Sequence, residues 1–141
     1  MNARVWLIKS EPVKYPWSKM LEEGRTFWDG VRNHQAKNNL LAMRRGDFAF
    51  FYHSNEGMEI VGLVQVVQEA YPDPTAQEGP WVVVDVVPVA SLPKPVGLAQ
   101  LKSDPICSQM ALVRQSRLSV CPVSEAEFQR ICEMAYWNPP V

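Results

Sequence analysis

Cysteine is scarce in this chain, and its cysteines form no recognisable metal or disulfide motif. The 141 residues include three, Cys107, Cys121 and Cys132. They are spaced too widely for the paired Cys-x-x-Cys of zinc sites, and an odd number does not make a closed disulfide framework. The sequence therefore favours reduced thiols in a cytoplasmic protein and predicts no metal site.

Long hydrophobic runs are also missing. The segment Met1–Ser10 holds an apolar run of four residues that ends at Lys9. Nothing later approaches the roughly eighteen consecutive apolar residues of a membrane-spanning helix. We therefore expect a soluble protein with no membrane partner.

The motifs of common enzyme classes are absent from the sequence. There is no Gly-x-Ser-x-Gly elbow, no phosphate-cradling glycine loop and no metal-binding histidine spacing. An enzyme would have to use His34 or His53 with Asp29, Glu11 or Asp73 as general acid and base, for example in a small hydrolase acting on a nucleotide. We expect a binding protein without a cofactor, and keep the hydrolase as the alternative.

Positive charge is missing from one third of the chain and concentrated in another. Residues 47–93 contain seven acidic residues and no lysine or arginine, whereas residues 1–46 contain nine basic and four acidic residues. Within residues 30–46 every charged side chain is basic. Such a segment attracts phosphate, although a solvated helix face gives the same pattern.

The composition predicts a strand-rich fold. Twelve prolines in a chain that is 47% hydrophobic argue against a helical bundle, and the length fits one domain over residues 1–141. Alternating and apolar runs predict strands at Val5–Lys9, Thr26–Trp28, Phe48–His53, Glu59–Glu69, Trp81–Val89 and Arg117–Val120, and helices at Trp17–Glu23, after an Asn33 N-cap, at Leu98–Lys102 and after Ser124. The expected fold class is α+β, mainly β: a curved sheet or partly closed β-barrel flanked by two or three helices.

Aromatic, amide, hydroxyl and basic side chains are concentrated in residues 28–39 and 46–54. This combination suits a planar heterocycle attached to phosphate. Trp28 supplies the stacking surface, and Gly30 beside it permits close approach of the backbone. We expect the Trp28 indole to line an open cleft; the alternative is a core tryptophan.

Candidate contacts to the edge of a base come from residues near Trp28. Asn33, Ser10 and Ser54 offer donors and acceptors, and His53 offers an imidazole donor. Lys9 and Glu11 are further candidates at a strand end. The structural alternatives are a helix cap for Asn33, a turn for Ser54, a structural histidine for His53 and solvated charges for Lys9 and Glu11.

Candidate contacts to phosphate are Arg32, Lys37, Arg114 and Arg117. Phosphate contacts fix the position of a nucleic acid without reading its sequence. The alternative is that all four are ordinary surface cations. A protein-interaction module that uses exposed aromatics as anchors is a further alternative, but it leaves the polar groups around Trp28 unexplained.

Five blocks of sequence, in order along nearly the whole chain, resemble the EVE domain family. They are Lys9-Ser10-Glu11-Pro12, Trp28-Asp29-Gly30-Val31-Arg32-Asn33, Phe50-Phe51-Tyr52-His53-Ser54, Ala70-Tyr71-Pro72-Asp73-Pro74-Thr75 and Arg117-Leu118-Ser119-Val120. Many members carry a longer segment between the Tyr-Pro-Asp residues of the fourth block and the tryptophan that opens the next strand. In this chain only Thr75 to Pro80 separates Pro74 from Trp81. No contact from that loop is carried over.

The resemblance implies a PUA-like β-barrel related to the YTH domains, which bind methylated adenine in RNA. It also implies a reader of modified bases. The partner would be nucleic acid containing a modified cytosine in DNA, or alternatively a modified base in RNA. The base would be flipped out of the stack into an aromatic and polar pocket.

Overall fold

The computed structural model describes residues 3–139 of the chain, so the ends of the expected 1–141 domain lie outside the described part. The strands are β1 (Val5–Ser10), β2 (Thr26–Phe27), β3 (Phe48–His53), β4 (Glu59–Pro72), β5 (Val82–Gly97) and β6 (Val120–Val123). The α-helices are α1 (Trp17–Glu23), α2 (His34–Ala42), α3 (Leu98–Ser103), α4 (Ala111–Arg114) and α5 (Glu125–Met134), and a 3-10 helix spans Cys107–Gln109.

One mixed sheet contains all six described strands in the order β2-β5-β4-β3-β1-β6. Strands β1 and β3 run parallel, and the other pairs are antiparallel. Strand β3 is buried on both faces from Phe48 to Tyr52, as expected for a central strand whose side chains are all apolar. Because β1 and β3 are parallel, their carboxyl ends, Ser10 and His53, meet at the same edge of the sheet.

The sheet is open but strongly curved. Residues 26–29 at the β2 edge and residues 9–11 at the end of β1 line the same hollow, although three strands separate β2 from β1 in the sheet. Register shifts along β4, including one beside Gly62, produce part of this bending. At Gly62 a Cβ would lie 2.3 Å from the Trp17 ring, so the absence of a side chain lets α1 pack directly on the sheet.

Helices α1, α2 and α5 begin or end at capping residues whose types are typical of helix ends. Asn33 caps α2 by accepting a hydrogen bond from the Ala36 N–H at 2.9 Å. A capping box between Ser124 and Glu127 starts α5. Helix α1 ends at Gly24, whose left-handed conformation suits glycine.

The expected α+β fold class with a curved sheet is confirmed. Three of the five described α-helices have seven residues or more, and the other two, α3 and α4, have six and four residues. The prediction for the sixth strand was wrong: residues 117–119 form the approach to β6, which starts at Val120. Alternation in Arg117–Val120 resembles a strand, but the Leu118 N–H bonds back to the Gln115 carbonyl in a turn.

Strand β5 is longer than expected and continues past Pro88 to Gly97. Pro88 lacks an N–H, but it pairs with Val64 at a register shift, and β2 pairs with β5 only at Asp85 and Val86. One side of β5 is therefore an edge at Pro88. Within residues 3–139, no helix is long and apolar enough to cross a membrane.

Candidate functional site

Four chain segments meet where β1 and β3 end, and two hollows lie among them. Hollow A, about 370 Å³, is formed by the end of β1, the following loop and the β2 segment; it is lined by Lys9, Ser10, Glu11, Lys14, Tyr15, Thr26, Phe27, Trp28 and Asp29. Hollow B, about 350 Å³, lies on the other side of Lys9 and Glu11, between the turn after β3 and the segment before β6. The backbone ties these segments together, because the Ser54 N–H bonds the Ser10 carbonyl and the Lys9 N–H bonds the Ser119 carbonyl.

Trp28 is both a core residue and a wall of hollow A. Its side chain is only 8% exposed, and its ring lies nearly perpendicular to Tyr15 and Phe51, with centroids 5.9 and 5.5 Å away. Its backbone N–H bonds the Val84 carbonyl at 2.8 Å, which holds the segment against β5. The two sequence interpretations of this tryptophan therefore both describe it: it packs in the core and also borders an open hollow.

Polar groups in hollow A are fixed by hydrogen bonds. The Ser10 hydroxyl donates to the Tyr15 carbonyl at 2.5 Å, and the Tyr15 hydroxyl donates to Glu23 at 2.6 Å. Burial, followed by the bond to Glu23, raises the pKa of Tyr15 to about 12. The phenol therefore stays protonated at neutral pH and presents a neutral aromatic wall next to Trp28.

Asp73 holds the turn that follows Trp28. Its carboxylate accepts hydrogen bonds from the Gly30 N–H at 3.1 Å, the Arg32 guanidinium at 2.9 Å, and the Thr75 N–H and hydroxyl. Burial alone would raise the pKa of Asp73, but the bonds from Thr75, Arg32 and Gly30 outweigh it and lower the pKa to about 2. Arg32 also lies 5.9 Å from the Trp81 ring. Its guanidinium therefore positions the turn that carries Trp28.

Lys9 separates the two hollows. Its ammonium donates to the Ser116 carbonyl at 2.9 Å and so braces the segment before β6 against the end of β1. Burial lowers the pKa of Lys9 from its ordinary value. Glu11, which also lines both hollows, forms an ion pair with Lys14 at 3.3 Å. The wall between the hollows thus contains two charges that already have partners.

The structure brings part of the predicted site together. Trp28, Ser10, Lys9 and Glu11 line hollow A, while Ser54 and Arg117 line hollow B with Lys9 and Glu11. The remaining candidates, Asn33, His53, Arg32, Lys37 and Arg114, line neither hollow. The binding roles of all these residues stay predictions.

Several of the candidates outside the hollows have structural partners. The Asn33 side chain caps α2, as its alternative interpretation held, and Arg114 bonds the Gln109 side chain. His53 accepts a hydrogen bond from the Trp17 N–H at 3.0 Å. His34 packs on Trp81 with ring centroids 4.9 Å apart. Both histidines named for the hydrolase alternative therefore make structural contacts outside the hollows.

Four residues that line hollow A were not candidates in the sequence interpretation: Lys14, Tyr15, Thr26 and Phe27. Asp29, which also lines it, was named only for the hydrolase alternative. Tyr15 lies in a loop between Pro12 and Pro16, where no periodicity marks the direction of a side chain. Its position four residues after the Lys9-Ser10-Glu11 block was the only available signal. Within residues 3–139, no group of three or more His, Cys, Asp or Glu side chains is placed to hold a metal ion.

Comparisons with known proteins agree on one family. The EVE domain family model matches residues 4–134. Human thymocyte nuclear protein 1 is 36% identical over 95% of this chain and 75% of its own length. A protein of known structure from Agrobacterium tumefaciens is 46% identical with a TM-score of 0.95, covering 98% of this chain and 97% of that one. Human THYN1, crystallised in complex with DNA containing 5-methylcytosine, is 34% identical with a TM-score of 0.88, covering 97% of this chain and all of that one.

Proposed function

The chain belongs to the EVE domain family, and we propose that it is a reader module that binds DNA containing a modified cytosine. The flipped base occupies hollow A, where it contacts the Trp28 indole. The observation that carries the proposal is a buried, fixed aromatic wall on an open hollow, in a family whose human member was crystallised with DNA containing 5-methylcytosine.

The size and lining of hollow A suit a single nucleobase. Small-molecule sites are concave, largely apolar and start at about 300 Å³, and hollow A has about 370 Å³. Unstacking a base costs a few kcal/mol, and stacking on an aromatic side chain returns about 1–3 kcal/mol per base. Hydrogen bonds from the polar groups of the rim supply the rest and favour one base over another, since a buried polar group left unpaired costs about 1–3 kcal/mol.

Trp28→Phe is the variant that tests this assignment. Trp28→Ala would remove a buried side chain at a cost of about 3–5 kcal/mol, so lost binding could reflect unfolding. Phenylalanine keeps an apolar ring but reduces the stacking surface. The matched control is Trp137→Phe, which makes the same change in a half-buried tryptophan beyond the end of α5, outside both hollows.

Binding is measured by fluorescence anisotropy with short oligonucleotides that carry one 5-methylcytosine, with unmodified DNA and with the corresponding RNAs. We expect wild type to prefer the modified DNA, Trp28→Phe to weaken that binding several-fold, and Trp137→Phe to leave it unchanged. Equal effects of the two variants would contradict the role of Trp28. Equal affinity for modified and unmodified DNA would contradict the reader function, and preference for a modified RNA would favour the RNA alternative.

Binding without catalysis is the second part of the proposal. Incubation with modified nucleosides, nucleotides and oligonucleotides, followed by mass spectrometry, should return the substrates unchanged. A product that forms in proportion to enzyme and disappears in His34→Gln or His53→Gln would support the hydrolase alternative instead.

A cytoplasmic location also stays a prediction. Imaging of the tagged protein in its own cell tests it.

A further inference from the structure

We propose that hollow B binds the nucleotide next to the base held in hollow A, with its phosphate on the Arg117 guanidinium. This inference rests on the proposed function, because it assigns a second subsite to the same DNA strand. It separates two tasks: hollow A recognises the base, and hollow B fixes the position of the backbone beside it.

The two hollows are neighbours with a common wall. Lys9 and Glu11 line both of them, so a strand whose base enters hollow A passes directly over hollow B. Consecutive nucleotides are joined by one phosphodiester, which must therefore cross this wall. A flipped nucleotide and its neighbour are the ligand whose covalent geometry matches two adjacent hollows.

Arg117 is the cation available for that phosphate. Of the three basic residues that line the hollows, Lys9 bonds the Ser116 carbonyl and Lys14 pairs with Glu11. Arg117 is exposed and makes no side-chain hydrogen bond, ion pair or ring contact with any described residue. A guanidinium binds two phosphate oxygens at once and keeps its charge throughout the physiological pH range.

The rest of hollow B suits a sugar and phosphate. Its lining includes the apolar groups of Tyr52, Leu98 and Leu112, which offer packing to a deoxyribose. Ser54 and Ser119 also line hollow B, and their hydroxyl groups provide donors for phosphate oxygens.

The test separates base binding from backbone binding by using two probes. The first is the nucleoside 5-methyl-2′-deoxycytidine, which has no phosphate. The second is a short single-stranded DNA with one central 5-methylcytosine. Arg117→Ala is compared with Arg44→Ala, which removes the same charge from a loop before β3, at the opposite end of that strand from hollow B. Arg117→Lys tests whether charge alone is sufficient.

We expect Arg117→Ala to weaken oligonucleotide binding roughly tenfold at low salt and to reduce the slope of log Kd against log salt by about 0.7, the value for one phosphate contact on a single strand. Nucleoside affinity should not change, and Arg117→Lys should restore most of the salt slope. Trp28→Phe should weaken binding of both probes. Thermal unfolding of Arg117→Ala should match wild type, because the side chain is exposed and has no partner among residues 3–139.

The proposal is overturned if Arg117→Ala affects the oligonucleotide no more than Arg44→Ala, or if it weakens nucleoside binding equally. Failure of the proposed function gives a different result, because wild type would then show no preference for 5-methylcytosine in either probe. A third result would separate the two assignments. If wild type prefers the 5-methylcytosine nucleoside but Arg117→Ala binds the oligonucleotide as well as wild type does, the base-binding role of hollow A stands and the backbone-binding role of hollow B is wrong.

Discussion

The backbone N–H of Trp17 donates a hydrogen bond to Nε2 of His53 at 3.0 Å. An imidazole nitrogen accepts a hydrogen bond only when it carries no proton, so this contact requires the neutral ring with its proton on Nδ1. The same tryptophan donates its indole N–H to the Ser91 hydroxyl at 2.8 Å. His53 therefore anchors the start of α1, although the sequence presented it as a contact to a base.

His53 should make stability depend on pH. Burial lowers its pKa below the ordinary 6.5, with partial opposition from Glu59. The folded state therefore binds the proton less readily than the unfolded chain, so the contribution of His53 is complete above pH 6.5 and is lost as pH falls through its folded-state pKa. His53→Gln, which keeps an acceptor but does not titrate, should flatten the dependence of urea unfolding on pH between 7 and 5. A profile altered equally by His34→Gln would contradict this assignment.

Asp73→Asn should destabilise the turn that carries Trp28. The pKa of about 2, below the ordinary 3.8, means that folding favours the carboxylate. At neutral pH this lowering contributes about 2 kcal/mol to the free energy of unfolding. The contribution is present above pH 3.8 and is lost as pH falls toward 2. Urea unfolding at pH 7 should show a lower free energy of unfolding for Asp73→Asn than for wild type. This difference should become smaller below pH 3. If the difference in free energy of unfolding is the same at both pH values, protonation of Asp73 does not account for the loss of stability.

Gly62→Ala should destabilise the fold because the added methyl overlaps the Trp17 ring at 2.3 Å. Overpacking of this kind costs about 1–3 kcal/mol. Gly97→Ala provides the control, since a Cβ at Gly97 meets nothing within 4 Å. The thermal unfolding temperature should fall for Gly62→Ala and not for Gly97→Ala. An unchanged temperature for Gly62→Ala would mean that α1 can move away from the sheet without loss of stability.

Ser124→Ala should cost about 1 kcal/mol by removing the side-chain acceptor of an N-cap. The Ser124 hydroxyl accepts from the Glu127 N–H, and the Glu127 carboxylate accepts from the Ser124 N–H. Helix α5 depends on these bonds at its first turn. Ser18→Ala, at an exposed position in the first turn of α1, is the control, and chemical unfolding measures both. Equal costs would show that the capping box contributes little.

The sequence was most informative where one local rule decides the structure. The Asn33 cap with buried Ala36 and Leu40 identified α2, and Ser124 with Glu127 identified α5. It was least informative where distant segments determine the outcome. The start of β6 depends on its pairing with β1, and alternation in residues 117–120 does not contain that information.

The candidate site was only partly predictable for the same reason. Trp28 and the Lys9-Ser10-Glu11 block could be selected because their residue types suit a heterocycle. The role of Arg32 could not be predicted, because its partner Asp73 lies 41 residues later in the chain, on the loop that follows β4. Tyr15 was missed because an irregular loop between two prolines gives no indication of side-chain direction.

Hollows A and B both depend on the parallel pairing of β1 with β3, which joins two segments distant in sequence. Closing such a long loop is slow and entropically costly, so we expect the pairing of Ser10 with His53 to form late during folding. A partly folded chain that lacks this pairing has neither hollow. Bound DNA consequently stabilises only the completely assembled sheet, and amide hydrogen exchange should slow along the whole length of β1 and β3, well beyond the residues that contact the ligand.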